Sequence, residues 1–339
     1  MKRFLASVIF LTLSLGNSAP TLANAREEAS MTRALVRGLF YNRKFAELED
    51  LINRFRTTDI RSKSGWFRAE TFYSTFDNSD FWNLNVSAKL YDESEKIASD
   101  WAKIYPGSSA ALVVATKIIL QRSIYILHDS KSTATDEEKL NQYRIYTITG
   151  LQFPDMSEKI ASADPEYYAT KMRLLNNFDT NPLFFKNIFE NARRKFPDYF
   201  TLNVMAVHQR FDDGHMPPER IEDIAQSAMA LASPSNSLSI YARVYQEAYF
   251  LLGYDMFHNS KVQWSLMKSG LDDIARQYPD PINWNTFAYF ACLPEDKPAT
   301  EAALKEVGSD IDMKIWRSPQ ILASCKAWSA PSPNQSPKL

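Results

Sequence analysis

Apolar residues recur at three- and four-residue spacing from the start of the second helix-length segment onward. Leu35, Leu39 and Phe40 mark one stripe, and Leu48, Leu51, Ile52 and Phe55 mark the next. That spacing is the signature of amphipathic helices. The break at Asn42-Arg43-Lys44 predicts an antiparallel helix pair. Further helix starts are written in side-chain acceptors followed by proline: Asp164-Pro165, Asn181-Pro182, Asp280-Pro281 and Ser318-Pro319. Proline at the first helical position loses no hydrogen bond there, and its φ is already helical. Thr135 and Glu138 fit a capping box, which makes His128 to Ala134 the preceding loop. Tyr241, Tyr245 and Tyr249 fall on one helix face with Ala242 and Ala248 nearby, a pattern expected of a packed seam between helices.

Three segments end in the same way, with alanine near the end of a helix, then an aromatic residue and proline. They are Ala102 to Gly107, Ala192 to Asp198 and Ala275 to Asp280, starting 90 and 83 residues apart. The proline stops the helix while the aromatic ring packs back on its last turn. Such spacing is too long for one 34-residue repeat but can hold two or three helix pairs. Tetratricopeptide-type repeats end their second helix in a similar way, and the resemblance is strongest at the C-terminus. There Asn283 to Leu293 and Ala299 to Val307 look like one hairpin, with Ala288, Ala291, Ala302 and Ala303 where the helices approach. The tryptophan, leucine-glycine and tyrosine positions of a typical first helix are mostly unmatched, so the repeats are degenerate.

The run Trp264-x-x-Met267-Lys268-x-Gly270-Leu271, continued by Tyr278-Pro279-Asp280-Pro281 and Phe287 to Cys292, resembles a proteobacterial family of exported helical-repeat proteins defined as a domain of unknown function. The N-terminal hairpin Leu35 to Phe55 resembles it too. Cys292, Trp316 and Cys325 match a cysteine, tryptophan and second cysteine of that family. The resemblance implies a fold and no activity, and it brings no catalytic residue. The expected fold is all-α, a degenerate tetratricopeptide-like helical hairpin array, or α-solenoid. Its expected divisions are a leader at 1–25, an N-terminal helical domain at 26–130, a connecting segment at 131–165, and a tetratricopeptide-like domain at 166–329. Residues 330–339, with three prolines and no large apolar residue before Leu339, read as a disordered tail.

Composition supports helices and sets a destination. Nine glycines in 339 residues fall well under the usual ~7%, and phosphate-cradling loops, tight hairpins and doubly wound sheets all consume glycine. Lys2 and Arg3 precede the uncharged run Phe4 to Leu15, and Ala23-Asn24-Ala25 supplies a small-x-small cleavage pattern. A helix of that run rises only ~18 Å, short of a ~30 Å hydrocarbon core. These features predict an exported protein, periplasmic or secreted, with no integral membrane segment in the mature chain. The apolar stretch Ala110 to Leu127 is interrupted by Lys117, Gln121 and Arg122. Loss of Lys2 and Arg3 takes the formal charge from −1 to −3, which gives nucleic acid no basic surface to bind. In an oxidising compartment Cys292 and Cys325 are a candidate disulfide; the other reading is two thiols packed as small hydrophobes.

Chemistry is sparse. His208 to His215 holds two imidazoles with Asp212 and Asp213, but the spacing matches no metal motif and reads as an interhelical loop. The sequence has no nucleophile elbow, P-loop or dinucleotide fingerprint. No catalytic residue, cofactor or metal is therefore expected. The stretch Ser64 to Asn85 mixes Trp66, Phe72, Phe81 and Trp82 with Asp77, Asn78, Asp80 and Asn83 on no clean helical period. Aromatic bodies with polar neighbours suit partner surfaces, so these four aromatic residues are the expected contacts for an unidentified protein partner. The expected role is a noncatalytic interaction scaffold. Its rival is an enzyme or secreted effector acting on a cell-envelope polymer through carboxylates in an interdomain cleft; a binder of a small envelope ligand is a third reading. A pocket with converging carboxylates would favour the enzyme, and an aromatic groove would favour the scaffold.

Overall fold

The computed structural model describes residues 24–58, 60–77, 87–129, 132–155, 158–176, 182–209 and 217–330. Among them the regular structure is helical, with one isolated bridge between Arg61 and Phe67, so the chain is all-α. The N-terminal group is α1 (Ala25–Tyr41), α2 (Phe45–Thr57) and α3 (Arg68–Ser74). It is followed by α4 (Ala88–Ile104), α5 (Ser109–His128), α6 (Asp136–Asp155), α7 (Glu158–Ala161) and α8 (Pro165–Asn176). Next come α9 (Pro182–Lys195), α10 (Thr201–Val207), α11 (Pro218–Leu231), α12 (Ser237–Leu252), α13 (Met256–Asn259) and α14 (Trp264–Gln277). The last elements are α15 (Pro281–Cys292), α16 (Lys297–Val307), α17 (Met313–Trp316) and α18 (Pro319–Ser329). Residues 1–23 of the expected leader and 331–339 of the expected tail lie outside the described residues.

The caps are where local chemistry puts them. Asp280 accepts from the Ile282 amide at 3.0 Å, Ser318 from Gln320 at 3.1 Å, and Asp164 from Glu166 at 3.0 Å. Thr135 and Glu138 exchange the two bonds of a capping box. Each aromatic-proline segment ends its helix, at Ile104, Lys195 and Gln277. The closest packing is between helices near in sequence: α5 on α6, α15 on α16, and α12 on α14 across the short α13. One apolar cluster runs from Val36 to Cys325. The disulfide between Cys292 and Cys325, with Cα atoms 6.0 Å apart, ties α15 to α18.

Two expectations about faces need correction. Leu35 is 49% exposed, and Val36 takes the buried place beside Phe40. The true stripe of α1 is therefore Val36 and Phe40, with Leu39 half-buried. Ala302 is exposed while Ala288, Ala291 and Ala303 are buried, so only those three sit in the α15–α16 contact. Of the three polar residues that interrupt the apolar run of α5 in the sequence, Lys117 and Gln121 are buried and Arg122 is half-buried. Helix α5 is long and apolar enough to cross a membrane by length and composition, and 67% of its most apolar window is buried within the protein.

The α12–α14 contact depends on a missing side chain. A Cβ built on Gly270 would lie 2.1 Å from the Leu238 carbonyl oxygen and 2.8 Å from the Ala242 Cβ. Only glycine lets the two helices approach that closely.

Candidate functional site

The link between α2 and α3 is driven into the middle of the molecule. Ser62, Ser64 and Gly65 are buried, and buried backbone must find partners. Ser62 N–H donates to Trp66 O at 2.8 Å and Gly65 N–H to Ser62 O at 2.9 Å, closing a tight turn. Lys63 N–H donates to Glu28 on α1 at 2.8 Å. The Ser64 carbonyl accepts from Arg243 on α12 at 3.2 Å and from Asn283 on α15 at 3.3 Å. Gly65, at φ +80°, lies under the Tyr278 ring, where a Cβ would meet ring carbons at 2.5 Å. We call residues 60–67 the plug. It joins the first hairpin directly to the C-terminal helices and presents Trp66 to them.

Beneath the plug lies a charged interior. Lys117 of α5, 1% exposed, reaches Glu166 at 2.7 Å and Asp77 at 3.0 Å. Asp77 also takes Arg173 at 3.0 Å, and Glu166 accepts from the Tyr199 hydroxyl at 2.7 Å. Asp164 binds both Arg56 and the Tyr73 hydroxyl. Burial raises the Asp77 carboxyl, but Lys117 and Arg173 outweigh it and hold the group below its ordinary range. Glu70 is the exception. Its Oε1 accepts from Thr201, while its Oε2 is enclosed with no hydrogen-bond partner. Burial, and then Glu166, push its carboxyl well above the usual range against the pull of Arg243 and Arg61. Burial likewise lowers Arg243 to about 10. Its guanidinium is stacked 4.8 Å from the Trp66 ring centre and 4.6 Å from that of Phe200. The adjoining void, lined by Arg61, Ser239, Arg243 and Tyr278, measures about 10 Å³, the lower limit for one water. A substrate has no room there.

The open site is on the other side of Trp66. A groove of about 380 Å³ runs between the plug, α12, α15 and α17, within the range of ligand sites. Tyr249, Tyr289, Phe290 and Arg243 form its floor, and Trp66, Phe250, Lys314 and Arg317 lie on its walls. Tyr249 and Tyr289 share a hydroxyl hydrogen bond at 2.5 Å, and burial raises both phenols. Phe250 is 68% exposed and Trp66 37%. Arg317 stacks over Tyr249 and Phe250, at 4.7 and 5.5 Å from their ring centres. Glu247 is the carboxylate of the described lining, and it is bound to His208. Through Arg26, Ile282 and Lys314 the groove opens into a wider trough of about 1010 Å³ that includes Tyr278, Asp280, Asp310 and Asp312.

The expected contact residues are divided by the structure. Trp66 lines the groove, whereas Phe72 is fully buried and packs against Tyr73 and Phe76. A ring with no accessible surface is core, so Phe72 is withdrawn as a contact residue. Phe81 and Trp82 lie outside the described residues, as do Asp212, Asp213 and His215. Among the described residues no group of three or more His, Cys, Asp or Glu side chains could hold a metal ion. The tyrosine seam is buried as expected, and the end of it, Tyr249, becomes groove floor. Phe250 and Arg317 were not singled out from the sequence. Phe250 lies one position off the 241/245/249 face, immediately before the Leu251-Leu252-Gly253 helix end, which is a readable sign of an exposed aromatic. Compared with protein-family models, curated proteins and solved structures, the chain matches none.

Proposed function

We propose that this chain is an exported, noncatalytic interaction scaffold that holds a segment of a partner protein in the groove beside Trp66. In this reading residues 1–25 are a leader that is removed, and the hairpins form a degenerate tetratricopeptide-like array whose plug shapes the binding face. One observation carries the proposal: the groove exposes aromatic surface beside stacked arginine, with its carboxylate already engaged. Exposed aromatic and arginine anchors are what partner surfaces use. The observation on the enzyme side is the perturbed Glu70, but that carboxyl is enclosed, and the void beside its neighbours Arg61 and Arg243 has room for no more than a water.

The test is site-specific photocrosslinking in the host envelope. A crosslinker at Phe250 is compared with one at Ile145 on α6, which is similarly exposed at 62%. A discrete protein adduct formed from position 250 and not from 145 supports the proposal. Equal labelling from both positions, or adducts with glycan alone, overturns it.

A further inference from the structure

The charges of the groove are unequal, and this identifies the chemistry of its occupant. Among the described residues Lys314 and Arg317 are exposed and have no ion-pair partner, whereas the other charged groups on the lining are either paired or buried. Arg26 is bonded to Asp312 at 2.6 Å, Glu247 to His208, and Arg243 is buried against the plug. The acids nearest by, Asp280, Asp310 and Asp312, belong to the adjoining trough. Asp280 caps α15 and also accepts from Ala25 N–H at 2.7 Å. The groove therefore offers two uncommitted cations beside exposed aromatic rings and no uncommitted anion.

Arg317 adds a second, independent sign. It ends α17 at φ +60°, in the left-handed region that glycine occupies without strain. An arginine there is strained, and strained residues concentrate where the side chain has work to do. Its side chain lies across Tyr249 and Phe250, which fixes the plane of the guanidinium while leaving its edge to accept a carboxylate.

We propose that the groove takes an acidic peptide segment bearing aromatic side chains: a carboxylate on Arg317 and Lys314, and a ring on Phe250 and Trp66. This rests on the groove being a protein-segment site, and the experiment separates the two. Short fluorescein-labelled peptides of equal length, alternating Phe-Glu, Phe-Lys or Phe-Ser, are titrated by fluorescence anisotropy at low and high salt. The Phe-Glu peptide should bind about tenfold or more tighter than the other two, the scale of charge-assisted hydrogen bonding, and the advantage should shrink with salt. Arg317→Gly combined with Lys314→Ser should abolish the preference and leave Phe-Ser binding unchanged. Arg317→Gly relieves the backbone, so the melting temperature should hold or rise, which excludes unfolding as the cause. If Phe-Lys or Phe-Ser binds as tightly as Phe-Glu and Phe250→Ala weakens all three, the groove stands and the acidic class falls. A preference that survives the double variant also overturns the acidic assignment. No binding by any of the three overturns both readings.

Discussion

Replacing Glu70 by glutamine tests the charged interior through a single proton. The Glu70 carboxyl is pushed up by burial and by Glu166, beyond what Arg243 and Arg61 restore. In the unfolded chain it titrates near the ordinary glutamate value of about 4.3. Between that pH and its higher folded value, the native protein holds a proton that the unfolded chain has released. Folding is then disfavoured by about 1.4 kcal/mol for each pH unit of that window. Its contribution is thus greatest in acid and is lost as pH rises, opposite in direction to that of Asp77. Glutamine keeps the shape, can still accept from Thr201, and does not titrate. The stability of Glu70→Gln relative to wild type should therefore be nearly level below about pH 4 and climb by about 1.4 kcal/mol per unit above it. A slope of that size is resolved by paired urea melts across the window. Taking the difference between the two proteins cancels every other titrating group. A difference that stays flat from about pH 4 to 7, or that falls, would refute the reasoning. A fall would mean that Arg243 and Arg61 win and hold Glu70 as an anion.

Other perturbations follow from the same structure. Lys117→Met strips Glu166 and Asp77 of a buried cation and should cost about 3–5 kcal/mol in urea unfolding; a loss below about 1 kcal/mol would show that the remaining partners suffice. Gly270→Ala forces α12 from α14 and should destabilise by about 1–3 kcal/mol. Gly38→Ala on α1, where a Cβ meets nothing within 4 Å, should instead stabilise by about 0.4–1 kcal/mol. Thermal melts of the pair check both signs. Cys292→Ala with Cys325→Ala opens a 33-residue separation and should lose about 3–4 kcal/mol on the chain-entropy account. Wild type melted with reductant should match the double variant.

What the sequence revealed was local. Asp164, Asp280, Ser318 and the Thr135–Glu138 pair announce their helix starts because a cap needs only the next three residues. The all-α class and the Cys292–Cys325 bond were legible for similar reasons of composition and count. Faces were less so: Leu35 and Val36 are adjacent and both apolar, and only packing decides which turns inward. Lys117 illustrates the larger difficulty. In the sequence it interrupts an apolar run, yet its two carboxylate partners lie 40 and 49 positions away, on elements that no local pattern joins to α5. The groove was beyond reach for the same reason, since the plug is fixed against α12 and α15 by hydrogen bonds to the Ser64 carbonyl that span 179 and 219 residues.

The anchoring of α1 has a consequence in time. In the full-length chain its first turn is fastened by Ala25 to Asp280 and by Arg26 to Asp312, separations of 255 and 286 residues; with residues 1–25 removed, the Arg26 bond remains. At ~5–20 residues per second of synthesis, about 15–60 s pass between the appearance of Arg26 and that of its partner. The body of α1 can settle early on α2, α3 and Lys63, but its first turn is among the last contacts to form. Hydrogen exchange on an unprocessed chain that starts at Met1 and ends before Asp280 should find the Ala25 amide unprotected, and protection equal to that in the unprocessed full-length chain would refute this order. For that interval the first turn of α1 is held by its own Asn24–Glu27 cap alone, until the far end of the chain arrives.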